Sequence, residues 1–139
     1  MIEIRTDEHS KPLTPDGPHD HEGTRAIADG IDEAFRLLNY ATMRNGLAYP
    51  SDVYSMCGAL SSALASFPQA LQQITDWMKT EVAQGFAIEN PSYGHHDGDS
   101  AAAYEDLADS LSAAAQVAHS LSRHLNQAQS AVAGMESAR

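Results

Sequence analysis

SAAAYEDLADSLSAAAQVAHSLSRHLNQAQSAVAGM, residues 100–135, contains no proline, and its one glycine is the penultimate residue. Tyr104, Leu107, Leu111, Ala114, Ala118, Leu121, Leu125, Ala128, Val132 and Met135 follow one another at alternating intervals of three and four. An α-helix gathers such positions into one stripe. Held for more than four heptads, the pattern predicts coiled-coil-like packing against another helix. Asp99 or Ser100 is a natural N-cap. Acids crowd the beginning (Asp97, Asp99, Glu105, Asp106, Asp109), while His119, Arg123 and His124 come later, a polarity that complements the helix dipole.

A matching stripe lies upstream. Val53, Cys57, Leu60, Leu64, Phe67, Leu71, Ile74 and Met78 keep the same spacing straight through Pro68. An internal proline ordinarily separates two helices, and Ser66-Phe67-Pro68-Gln69 resembles a capping box. Two independently oriented helices have no reason to share one phase, so the spacing predicts a single helix over about 51–84, kinked near 64–68. Ser51 serves as its N-cap, Asp52 lies in its first turn and Gly85 is its stop.

A shorter stripe, Ile27, Ile31, Ala34, Leu38 and Ala41, predicts a helix over about 24–44, ended by Asn45-Gly46. Arg25/Asp29 and Asp32/Arg36 are spaced to pair across one turn. Residues 1–22, broken by Pro12, Pro15 and Pro18, read as a disordered or loosely ordered tail, with Ile2 and Ile4 available for an edge contact. The two long helices, each roughly 50 Å at 1.5 Å per residue, fold back as an antiparallel hairpin. The expected architecture is all-α, a three-helix bundle dominated by that hairpin. A single helical domain of residues 23–136 follows the mobile tail. Helix one, shorter, is expected to run parallel to helix three and cover the end that holds Val53 and Val132. The end around Met78 and Tyr104 then projects.

Composition narrows the function. Nineteen acids against eight bases give a formal charge of −11. So negative a surface repels phosphate backbones, which argues against nucleic acid and fits the task of keeping an alanine- and leucine-rich chain soluble. No stretch approaches the ~20 apolar residues of a membrane span, and the N-terminus lacks the apolar run of a signal peptide, so the expected location is the cytoplasm. The lone Cys57 forms no intramolecular disulfide or thiolate cluster. Phosphate-cradling glycine loops, a nucleophile elbow and a dinucleotide fingerprint are all missing from the sequence. Carboxylate pairs such as Asp106/Asp109 and Asp32/Glu33 read as solvated helix faces. The expectation is no enzyme and no cofactor.

His19-Asp20-His21-Glu22 and His95-His96-Asp97 have metal-ligand chemistry, since imidazole and carboxylate suit zinc or nickel. Both stand in Gly/Pro-rich segments without an evident second shell, so solvated loop residues are the favoured reading. Trp77 is the sole tryptophan. It belongs to the projecting end with Met78, Val82, Phe86, Tyr104 and Leu107. Aromatic and methionine clusters left uncovered favour interfaces, so these six residues are the interface candidates, for a homodimer or another helical protein.

Arg25-Ala26-Ile27-Ala28-Asp29-Gly30, Leu37-Leu38-Asn39-Tyr40-Ala41-Thr42, Tyr49-Pro50-Ser51-Asp52-Val53-Tyr54 and Phe67-Pro68-Gln69-Ala70-Leu71 resemble a family of small actinobacterial helical proteins, associated in part with mobile elements. That family has no established activity, so the resemblance implies no site. Hairpin size and acidity are also similar to the helical-hairpin substrates of type VII secretion. The signature of that group is not matched: Trp77 is followed by Met78 and Lys79 inside a helix, and Tyr104 is followed four residues later by Ala108. The favoured function is a non-enzymatic helical interaction or adaptor protein, with a secretion-like hairpin and a weak metal binder as alternatives.

Overall fold

A computed structural model describes the backbone of residues 4–6 and 9–12 and the whole of residues 13–139. The chain is an all-α, three-helix fold: α1 is His21–Met43, α2 is Pro50–Ala83 and α3 is Ser100–Ala131. It divides into two compact units, residues 1–48 and 49–139.

In the first unit a short antiparallel ribbon precedes α1. β1, Ile4–Thr6, pairs with β2, His9–Leu13, through Ile4 opposite Leu13 and Thr6 opposite His9, with an irregularity between. Pro12 is tolerated there because a two-stranded ribbon leaves one edge of each strand unpaired. The contact expected of Ile2 lies outside the described residues. Helix α1 begins three residues before the predicted Thr24. Asp20 is the N-cap, its carboxylate accepting from the Gly23 N–H at 2.6 Å, and the Thr24 hydroxyl donates to the Asp20 carbonyl at 2.8 Å. A capping aspartate satisfies one of the orphan N–H groups of the first turn. Arg36 grips Glu33 with two bonds, Nε to Oε2 at 2.7 Å and Nη2 to Oε1 at 2.6 Å, where the spacing had suggested Asp32. It also lies 5.7 Å over the Tyr40 ring. The stop at Asn45-Gly46 has a steric basis: a Cβ on residue 46 would collide with the Ala41 carbonyl, which the Gly46 N–H approaches at 3.2 Å.

The second unit is the predicted hairpin, with α2 packed along α3. Helix α2 is one element of 34 residues and passes through Pro68 without interruption, as the apolar phase requires. Its start differs from expectation. Tyr49 is the N-cap, Pro50 takes the first helical position and Ser51 lies inside the helix. Proline belongs there because its missing N–H would be an orphan anyway. Asp52 reaches back to accept from the Tyr49 N–H at 2.9 Å. At the other end the stop is a Schellman motif: Gly85 has φ +73°, its N–H donates to the Val82 carbonyl at 3.1 Å, and the Phe86 N–H donates to the Glu81 carbonyl at 2.9 Å. Asp99 caps α3, accepting from the Ala102 N–H at 3.0 Å. α3 ends at Ala131, so Met135, placed on the stripe by periodicity, is exposed beyond the helix.

The two helices approach closely where small residues face. Ser61 and Ser122 exchange bonds, each hydroxyl donating to the other residue's carbonyl at 2.8 Å, with the hydroxyls 3.2 Å apart. A Cβ on Gly58 would collide with the Gln129 amide. Among the described residues of this unit only Ser61, Leu71 and Ala118 are buried, at 7, 6 and 5% exposure, and no side chain is fully buried. Two helices form one layer, and one layer cannot enclose a core.

Candidate functional site

The connection between α2 and α3 was expected to be a mobile loop of solvated histidines. It is instead built around one carboxylate. Glu89, 11% exposed, accepts from the His95 N–H at 3.2 Å, the His96 N–H at 3.0 Å, the Gly98 N–H at 2.9 Å and His96 Nδ1 at 2.7 Å. Its own N–H donates to Ser100 Oγ at 2.9 Å, which ties the loop to the first turn of α3. The backbone must curl to aim three N–H groups at one point. Asp97 at φ +52° and Gly98 at φ +87° supply that curl, and Gly94 leaves room for the carboxylate, since a Cβ there would collide with it. Asn90 braces the preceding turn, its side chain accepting from the Ser92 N–H at 2.9 Å and donating to the Tyr93 hydroxyl at 3.0 Å.

The other side of His96 faces α3, where Nε2 lies 2.6 Å from Asp106 Oδ2. Ionised carboxylates only accept, so the pair of them favours the form of the imidazole in which both ring nitrogens donate, the cation. The bonds to Asp106 and then Glu89 raise the His96 pKa above its ordinary value. For Glu89, burial pushes upward, but the bonds from the His96 ring and the Gly98 and His96 N–H groups outweigh it, and its pKa is lowered. An imidazole bonded at both nitrogens has no lone pair for a metal and no basic site for a nucleophile's proton. Among the described residues no group of three or more His, Cys, Asp or Glu side chains is arranged to hold a metal ion. Of the four histidines weighed as ligands, His96 is thus a structural clamp and His21 the first residue of α1. His19 meets the Pro15 carbonyl through Nε2 at 3.0 Å, and His95 has an exposed side chain. Asp106 is solvated, as read, with its side chain 75% exposed, and it is also a clamp partner.

Beside this loop is a cavity of ≈ 230 Å³ between the helices. Met78 and Val82 from α2, Ala87 and Ile88 from the loop, and Tyr104 and Leu107 from α3 form its apolar wall, with Glu89 and Ser100 at its edge. Four of the six interface candidates therefore meet in one place. Trp77 and Phe86 do not line the cavity and are exposed, at 61 and 73%. Ile88 lines it while 80% exposed, and Tyr93 is similarly open. Sequence reasoning missed Ala87 and Ala103, small residues whose contribution is the space they leave. It also missed the bonds from Glu89 to His96 and from His96 to Asp106, because no period links positions seven and ten apart across a loop. Gly94, Gly98 and the left-handed Asp97 were the available signal, since such residues mark a backbone that must turn tightly.

Compared with known protein families, curated proteins and solved structures, the chain matches none. No helix among the described residues is long and apolar enough to cross a membrane.

Proposed function

We propose that the chain is a non-enzymatic helical interaction protein, an adaptor working in the cytoplasm that seats another helical protein or a second copy on the loop end of its hairpin. One observation carries the reading: the cavity walled by Met78, Val82, Ile88, Tyr104 and Leu107 has Trp77 and Phe86 next to wall residues in the chain, and these two and Ile88 are mostly exposed. Wet side chains of this size each forgo roughly 1.5–3 kcal/mol of burial. An apolar patch rimmed by polar residues is the usual mark of an interface. The hairpin is also rigid where a partner would sit, because Glu89 fixes the loop, so little ordering entropy opposes association.

The test is solution mass by sedimentation, with Trp77 emission read in parallel, on the wild type and on Trp77→Ser with Met78→Ser. The reading expects an exposed indole in the free chain and a complex, with itself or a helical partner, that the double substitution weakens. A chain monomeric at high concentration whose indole already emits as a buried one would refute it, because the patch would then be covered from within.

A further inference from the structure

We propose that the cavity at the loop end of the hairpin receives a basic amphipathic helix from another protein, with a bulky apolar side chain in the cavity and lysines or arginines against an acidic rim. The inference rests on the reading just given and adds the chemistry of the partner.

The wall chooses an apolar group. Most of the lining is apolar, and the one carboxylate at the edge is already engaged: Glu89 collects four donors, while Ser100 Oγ accepts from the Glu89 N–H. The outline chooses a helix. Met78 and Val82 are one turn apart on α2, and Tyr104 and Leu107 one turn apart on α3. The opening therefore runs along a groove between two helices, where the ridge of a third packs.

Charge then chooses among helices. Residues 76–109 carry eight acids against Lys79 and the His96 imidazole, which engages two of them, Glu89 and Asp106. Three of the acids that His96 does not engage, Glu81, Asp99 and Glu105, directly neighbour residues of the wall or edge in the chain. A second copy would bring the same excess to the same place, and like charges brought together oppose association. Anionic lipid and nucleic acid are repelled for the same reason. A cationic amphipathic helix satisfies both the wall and the rim.

The probe is a synthetic leucine/lysine amphipathic peptide of roughly 18 residues, five turns, compared with a leucine/glutamate peptide of identical apolar face. Both lack tryptophan, so Trp77 reports binding alongside calorimetry. The leucine/lysine peptide is expected to bind at least about tenfold tighter, with the preference shrinking as salt screens the rim. Glu81→Gln with Glu105→Gln should weaken it roughly 1.5- to 5-fold per charge. Ala103→Trp, which fills the cavity, and Ile88→Ser, at an exposed position that leaves folding intact, should each weaken it about tenfold. Equal affinity for the two peptides would overturn the inference, as would undiminished binding by both cavity variants, since attraction would then be charge alone. If neither peptide binds while the chain forms a dimer that Ile88→Ser disrupts, the occupant is a second copy: the inference fails and the interaction reading stands. If neither peptide binds and the chain stays monomeric, both fall.

Discussion

Replacing Ser61 with valine tests the close approach of α2 and α3 more sharply than any other single change. Ser61 is 7% exposed, and its hydroxyl donates to the Ser122 carbonyl at 2.8 Å. That bond is worth about 0.5–1.5 kcal/mol net. Its loss orphans nothing, because the carbonyl remains within the ladder of α3. Alanine at 61 also gains helix propensity, about 0.5 kcal/mol, so Ser61→Ala is expected to cost only about 0.5 kcal/mol. Valine adds a branched side chain where the hydroxyls stand 3.2 Å apart. Overpacking of this kind costs about 1–3 kcal/mol, giving about 2–4 kcal/mol for Ser61→Val. Ser62→Val, one residue along on the exposed face, should change stability by no more than about 0.5 kcal/mol. Urea unfolding followed at Trp77, which lies in the hairpin unit, reads all three variants. A Ser61→Val midpoint indistinguishable from that of Ser61→Ala would refute the close approach.

The clamp predicts a pH window. The raised His96 value contributes stability fully present below the ordinary 6.5 and lost as pH rises through the folded value. The lowered Glu89 value contributes stability present above the ordinary 4.5 and lost as pH falls through the folded value. Amide protection in residues 95–98, taken relative to the intrinsic exchange rate at each pH, should therefore be greatest between those limits, and His96→Asn should abolish the alkaline limb while leaving the acid one. Gly85→Ala, forced to φ +73°, should cost about 1 kcal/mol by denaturation; Gly94→Ala should raise amide exchange throughout the Glu89 loop by expelling the carboxylate. Pro68→Ala restores the donor facing the Leu64 carbonyl and should stabilise the hairpin by about 1–3 kcal/mol. Unchanged or lower thermal stability would show that the proline ring's packing beside Leu71 outweighs the missing bond.

The helices were legible because their cause is local and periodic. A 3–4 spacing that survives Pro68 favoured one helix over two, and Asp99 and Gly85 marked ends that the backbone indeed uses. Starts were harder to read. Ser51 and Thr24 are good caps by type, yet Tyr49 is the cap of α2 because Pro50 suits the first helical position, and Asp20 captures the Gly23 N–H first. The site was half legible: Met78, Val82, Tyr104 and Leu107 lie on the stripes and meet as the hairpin register brings them together. The clamp was not, because Glu89, His96 and Asp106 are joined by a loop conformation that no spacing rule encodes. The histidines were read as solvated loop residues, whereas acceptors on both sides of the ring make His96 a fastener.

The tight loop also gives the hairpin a direction of assembly. Glu89 and Ser100 are 11 positions apart, Ser61 and Ser122 are 61. Closing the longer segment from an open chain costs roughly 1.5 kcal/mol more than closing the shorter one. Once the Glu89 turn has formed, however, each further contact between the helices encloses only a few additional residues. Ordering is therefore expected to travel like a zipper from the acidic end toward the paired serines, so that the end proposed to meet a partner forms first.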